Sequence, residues 1–500
     1  MCSVPTKTTV LVIGGGPAGS YAASVLARHN IEVTVLEAAK FPRYHIGESL
    51  LASTNYFLEF IDARKTIIEH GFVRKPGGAF KLRKDFPEAY TDFVDHSTGN
   101  HALNVIRAEY DDLLFRHAGL QGARVFDGHK VTSIEFASAE PARPLAAQWT
   151  DLEGHSGTIA FDYVIDASGR PGLLSTKYHR DRKMTESLRN TAIWAYWTGA
   201  TLYGTGTERE GAPLIEALHD HSGWCWYIPV SDGTMSIGFV LHENVIKVKK
   251  AGKTLEDMYL SFFEQLSDVN KLKDGAIIAP NKSGSGCPVY MASDYSYCAS
   301  DVGKINYRLV GDAACFIDPF FSSGVHLAFV GALSAALSII AIIDGHASEN
   351  ESADFYSTEL KTAYTRFFVV VASGYKQMRG RDVEDVNVLN DVDEKSFDRA
   401  FHRLRPVIQG LGDIGQDSAS GGNASLSEKE LQHSMDFVFK LFVEPGDTVN
   451  RDYPGNMDSD VQERLLAMTG PATECPGLAG VKDILDGVQE RMRRLVLDTK

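Results

Sequence analysis

The sequence predicts an α/β fold with two β-sheet domains and a helical C-terminal region, and three observations lead there. A strand, a glycine turn, a helix and a second strand follow in order from Thr9 to Glu37, which is a βαβ unit. Two further short apolar strands, Tyr163-Val164-Ile165 and Tyr307-Arg308-Leu309-Val310, run into the turns Asp166-Ala167-Ser168-Gly169 and Gly311-Asp312. Between them, aromatic alternating segments such as Thr191 to Trp197 and Met235 to Val240 have the period of strands in a second sheet.

Five hundred residues exceed one compact core. The three apolar strands are expected to be neighbours, so the first domain is discontinuous: residues 1–75, 100–174 and 291–345. The second domain takes 76–99 and 175–290, and 346–500 form the helical region with a Gly/Ser-rich loop at 410–427. A capping box at Ser427-Glu428-Lys429-Glu430 precedes an amphipathic series of Leu431, Met435, Val438 and Phe442.

The composition is ordinary for a soluble globular protein, 44% apolar and 23% charged, with a net charge of −15. That charge argues against nucleic acid or an anionic membrane as partner. Cys2, Cys225, Cys287, Cys298, Cys315 and Cys475 include no Cys-x-x-Cys pair. This usage points to a reducing compartment, the cytoplasm, and to neither a disulfide framework nor a zinc or other metal site. The N-terminus runs into the first strand too soon for a signal h-region. The apolar run from Leu327 to Ile343 contains Gly331, Ser334 and Ser338 and reads as a helix buried in a large domain.

Gly14-x-Gly16-x-x-Gly19, with Ala18 inside it, follows a strand and opens a helix, and Glu37 closes the next strand. The glycines permit a tight turn, backbone N–H groups can approach a pyrophosphate, and Glu37 can accept from a ribose hydroxyl. Gly410-x-Gly412-x-x-Gly415 also matches but lacks the flanking strand and helix. FAD and NAD both fit the first unit. FAD is selected by Asp312, placed after a strand to bond a ribityl hydroxyl, and by the turn Asp318-Pro319 to Gly324 into the apolar helix. The positive N-terminus of that helix suits the pyrimidine ring of a reduced flavin. With Asp166 and Gly169 as a third fingerprint, the first domain resembles the Rossmann-like FAD-binding domain of the flavoprotein monooxygenase type. No segment offers a nicotinamide site, so a separate NAD(P)H-dependent flavin reductase is the expected source of FADH2.

Trp224-Cys225-Trp226-Tyr227-Ile228-Pro229 reads Trp-x-Trp-x-Ile-Pro. Alone, that is compatible with ordinary strand packing. Beside a flavin site, the chain resembles a flavin-dependent halogenase of the fungal phenol or resorcylate type. The motifs that carry this resemblance are Gly14 to Tyr21, Pro42 to Ser49, Gly78-Ala79-Phe80-Lys81-Leu82 and Phe316 to Leu327. It spans most of residues 5 to 410.

The resemblance implies that reduced flavin, O2 and chloride or bromide give hypohalous acid, which a lysine passes to the substrate. Lys81 occupies the lysine position as matched by Gly78-Ala79-Phe80. An amine can hydrogen-bond hypohalous acid or form a haloamine with it, more readily when burial lowers its pKa. Trp224 and Trp226, with Ile228 and Pro229, would keep the organic substrate off the flavin. Ser323 and Gly324 would hold the halide, though the same residues also suit a helix cap. Arg43 and Glu48 match a strap between flavin and substrate, and Arg107 an arginine near the flavin phosphates.

Tryptophan halogenases carry a glutamate just before their Ser-Thr-Gly turn, where this chain has Phe321. An apolar residue cannot stabilise a cationic ring intermediate, so a self-activating phenol, of polyketide origin, is the expected small aromatic substrate. An aspartate or histidine on the second sheet is the expected class of phenol-activating base. A carrier-tethered substrate is not favoured. An aromatic hydroxylase is the first alternative, and a non-catalytic flavin-binding interaction protein the second.

Overall fold

The computed structural model describes residues 3–82, 84, 87–94, 100–138, 143–282, 286–379 and 408–410. Strand β1 (Lys7–Ile13), helix α1 (Pro17–Arg28) and strand β2 (Val33–Glu37) form the βαβ unit. Short strands β3 (Val73–Lys75), β4 (Gly77–Lys81) and β5 (Ala102–Asn104) precede α2 (Arg107–Leu120) and β6 (Arg124–Asp127). Strands β7 (Ser156–Asp166), β8 (Arg182–Thr198), β9 (Leu214–Ala217), β10 (Gly223–Pro229) and β11 (Thr234–His242) come next. Helix α3 (Asp268–Lys273), strands β12 (Tyr290–Ala299) and β13 (Tyr307–Leu309), and helices α4 (Gly324–Ile343) and α5 (Glu349–Arg379) follow.

Within the first sheet the strands β13-β7-β1-β2-β6 run parallel, so three strands distant in sequence stand side by side, and further strands add antiparallel pairs at its margins. Val10, Leu11 and Val12 are fully buried, as a parallel sheet covered on both faces requires. Pro17 opens α1, where its missing N–H has no helical partner to lose. Gly19 faces the Gly14 carbonyl so closely that any Cβ would overlap it.

The second sheet runs β12-β8-β11-β10-β9-β4, antiparallel except for the parallel pair β9 and β4. One of its faces belongs to the core shared with the first domain. The other packs a separate cluster in which Cys225, Tyr227, Phe239 and Tyr259 are fully buried. The α/β class with two sheets is therefore the one expected, with one boundary displaced. A division at 290/291 would cut off β12, which pairs with β8 from Tyr290 to Ala299 and belongs to the second sheet. The reason is the length of β8, 17 residues, which presents a second edge that must be paired.

Helix α4 is long and apolar enough to cross a membrane, with a mean hydropathy of 2.2, but 89% of that stretch is buried inside the fold. Tyr21 of α1 stacks on its Phe329 at 4.7 Å, and Arg308 donates to its Ser338 at 3.0 Å. The capping box and the amphipathic series after it, the Gly/Ser-rich loop beyond Gly410, and Gly412 and Gly415 lie outside the described residues.

Candidate active site

A single cavity of about 720 Å³ joins the C-terminal ends of the first sheet to one face of the second. At one end, Gly14, Gly16, Ala18, Glu37, Arg43 and Arg107 line it. Gly14 has φ +104°, and a Cβ there would overlap the Ala167 carbonyl, so only glycine makes this turn. Glu37 closes the loop by accepting from Gly15 N at 2.6 Å and Ala39 N at 2.7 Å.

The fully buried Asp111 aims both arginines. Its carboxylate takes Arg43 at 2.9 Å and Arg107 at 2.8 and 3.1 Å. Burial alone would raise its pKa, but Arg107 and then Arg43 hold it below the usual carboxylate range. The half-buried His45 is pushed down to about 4 by desolvation and then by the Arg107 charge, and stays neutral. Two oriented guanidinium groups beside a helix N-terminus are a donor set for a diphosphate. Gly169, Asp312, Pro319 and Gly324 line the same cavity and would take the flavin ring and ribityl chain. These residues fit FAD.

Two of the expected cofactor contacts do not reach the cavity wall. Asp166 accepts from Ser168 N at 3.0 Å and Leu174 N at 2.7 Å, so it holds the turn that presents Gly169. Gly19 is used for helix–strand packing. The halide turn divides similarly. Gly324 lines the cavity, with nothing within 4 Å of where its Cβ would stand. Ser323 is fully buried behind it, its hydroxyl unpartnered among the described residues.

Strand β10 puts Trp224, Trp226 and Ile228 on the cavity face and Cys225 and Tyr227 on the other, as a period of two demands. Pro229 ends the strand and does not line the cavity. The two indoles lie 6.1 Å apart between ring centres. The Trp226 N–H donates to Ser236 at 3.1 Å. Trp194 on β8 extends the wall, 6.2 Å from Trp226, its N–H on the Tyr44 hydroxyl at 2.8 Å. Its alternating strand was read as such, but only the sheet order shows that β8 faces the same cavity. Glu48 accepts from Tyr196 at 2.6 Å, and its other oxygen is buried without a partner among the described residues. Burial raises its pKa against the hydrogen bond from Tyr196.

The lysine expectation is not met by the geometry. Gly78 and Phe80 of β4 line the cavity, so Ala79 and Lys81 point to the opposite face. Lys81 is buried, but its ammonium is ion-paired with Asp268 at the start of α3. Glu216, its register partner on β9, caps the same helix by accepting from Ser267 N at 2.8 Å and Val269 N at 2.8 Å. Lys75 occupies the cavity instead. It is 3% exposed, donates to the Leu50 carbonyl at 2.8 Å and lies 4.7 Å from the centre of the Phe93 ring. Burial pushes its pKa down to about 7. Two residues, Pro76 and Gly77, separate Lys75 from Gly78-Ala79-Phe80, and that pair was the available signal for a break in the strand.

The cavity that Lys75 enters has an apolar share of its wall in Phe80, Phe93, Ile215, Phe320, Phe321 and Ile408. Among the described residues, the second sheet contributes no aspartate or histidine to the lining, so the expected base is not found there.

The tryptophan halogenase family model matches residues 9–94 and 92–384. The sulochrin halogenase gedL of Aspergillus terreus is 49% identical over 434 residues, 83% of this chain and 77% of that protein. The flavin-dependent halogenase armH2 of Armillaria mellea is 46% identical over 441 residues, 87% of this chain and 83% of that one. The structure of the myxobacterial chondrochloren halogenase CndH, an FAD-dependent enzyme, superposes with a TM-score of 0.70 at 27% identity, covering 88% of this chain and 98% of its own.

Proposed function

Because this chain belongs to the tryptophan halogenase family, and is thus a flavin-dependent halogenase, we propose that its substrate is a free phenolic ring of polyketide type and that Lys75 delivers the halogen. Bound in the glycine-and-arginine end of the cavity as FADH2, the cofactor supplies hypohalous acid from O2 and chloride or bromide.

The observation that supports the reading most is the cavity's lining. The cavity that carries the site for a diphosphate and flavin is also lined by three indoles, by apolar side chains and by Lys75, the buried one of its three lysines among the described residues. Trp224, Trp226 and Trp194 narrow the way, so a small oxidant passes and an aromatic ring does not. Backbone groups at Ser323 and Gly324, at the start of α4, suit a halide.

Lys75 would then form its haloamine with loss of water, R–NH2 + HOX giving R–NHX + H2O. The ring takes the halogen and returns its proton, which restores the amine. A pKa of about 7 keeps a useful fraction of Lys75 unprotonated at neutral pH. Phe321 supplies no charge to the ring, so a phenol must supply electron density by losing its own hydroxyl proton. The relative 49% identical to this chain is named for sulochrin, which accords with that class.

The enzyme takes its reduced flavin from a separate reductase, in our reading an NAD(P)H-dependent one, and works in the cytoplasm without a carrier protein. Mass spectrometry of reactions with reductase, FAD, bromide or chloride, phenolic polyketides and tryptophan tests the proposal. Halide-dependent mass gain on a phenol is expected. Turnover of free tryptophan with none on any phenol overturns it.

A further inference from the structure

Behind the indole wall lies a buried polar group that the chemistry above does not use. The Trp224 N–H donates to the Tyr375 hydroxyl at 2.7 Å, and that hydroxyl donates to Asp318 at 2.7 Å. The Asn190 amide donates to the same Asp318 oxygen at 2.7 Å and to the Tyr375 oxygen at 2.9 Å. The second Asp318 oxygen accepts from Phe320 N at 3.1 Å. Trp224, Asn190 and Asp318 are essentially inaccessible, and Tyr375 is nearly so.

The group ties three separate parts of the fold together. Trp224 belongs to the wall on β10, Asp318 heads the turn that leads to Gly324, and Tyr375 comes from α5. Phe320 of the turn stands edge-on to Trp224, 5.1 Å between ring centres at 88°. Gly374 lets α5 come this close, since a Cβ there would already lie 3.0 Å from the Phe320 ring.

An indole in an apolar passage has several staggered rotamers to choose from. A buried N–H must find an acceptor, and Tyr375 offers the one seen here. Resting on the indole-wall reading proposed above, we infer that Tyr375 is a positioning residue that sets the width of the passage. Its hydroxyl locks the Trp224 ring against the flavin-side turn, so the oxidant made at one end reaches Lys75 without escaping and the aromatic substrate cannot cross the other way. The carboxylate of Asp318, held by three donors, fixes the hydroxyl in turn.

Tyr375→Phe removes one oxygen and keeps the ring. The decisive readout is coupling: halogenated product formed per O2 consumed, with hypohalous acid leaking into solution caught by a small scavenger. Coupling is expected to fall about three- to ten-fold, the scale of one lost hydrogen bond, while flavin reoxidation and substrate KM stay near the parent values. In a Trp224→Phe background, which has no indole N–H, Tyr375→Phe should add nothing.

Normal coupling in Tyr375→Phe, or losses that simply add in the double variant, overturns the inference. If Trp224→Ala itself leaves coupling unchanged, the wall reading fails, which is a different result from failure of the clamp alone. Should Tyr375→Phe not fold, Asn190→Ala removes the donor behind the same hydroxyl and must give the same loss. Normal coupling there also overturns the inference.

Discussion

The Lys75 ammonium and the Leu50 carbonyl oxygen are 2.8 Å apart, with Lys75 only 3% exposed. That single neutral acceptor does not compensate for the lost hydration, which is why the pKa falls from 10.5 to about 7. Halogen transfer needs the neutral amine, so its rate should rise with pH through about 7 and level off above. Single-turnover product formation against pH checks this, and a flat profile across that range speaks against Lys75.

The same shift predicts a stability that also rises with pH. Below pH 7 the folded protein buries a charge, between about 7 and 10.5 only the unfolded chain stays protonated, and stability therefore rises with pH over that window. Lys75→Met should thus stabilise the protein most below pH 7, with the gain shrinking towards 10.5. Denaturant titrations at several pH values measure it.

Lys81 should behave as a structural residue. Its ion pair with Asp268 holds α3 against the sheet, and a hydrogen bond to a charged group contributes about 1.5–3 kcal/mol. Lys81→Met is expected to lower stability by that order, read from the shift of the unfolding midpoint, with product formation retained.

Asp111 touches no substrate, yet FAD affinity should depend on it. Without its charge, Arg43 and Arg107 lose the common anchor that aims them at one point. Asp111→Asn should weaken FAD binding roughly 10- to 100-fold, measured by quenching of flavin fluorescence. An unchanged Kd in a folded variant would contradict the diphosphate assignment.

Gly238 is the register partner of Trp226, and a Cβ there would overlap the Trp226 ring and crowd Trp194. Gly238→Ala should cost about 1–3 kcal/mol and displace the wall. Loss of coupling alongside the stability change is the expected result.

The first sheet was legible because its strands are continuous apolar runs ending in glycine-rich turns, and β1, β7 and β13 had each been marked by such a turn. Trp224 and Trp226 were legible for a related reason, since residues two apart on a strand share a face. The placement of Lys81 was not legible, because that same rule runs against the flanking match. Gly78 and Phe80 face the cavity, which forces Lys81 away from it, and the flanking match concealed the parity. Lys75 sits on β3, outside the large sheet, and its approach to the cavity depends on the antiparallel pairing of β3 with β5. Nothing local encodes that pairing. Trp194, Asp318 and Tyr375 were equally hidden, because their partners lie far away in the chain.

Side-by-side assay of Lys75→Ala and Lys81→Ala with reductase, FAD, halide and a competent phenol tests the central claim most directly. Lys75→Ala should reoxidise flavin and consume O2 while forming no halogenated product, and Lys81→Ala should still form it. Product from Lys75→Ala, with none from a folded Lys81→Ala, would contradict the account.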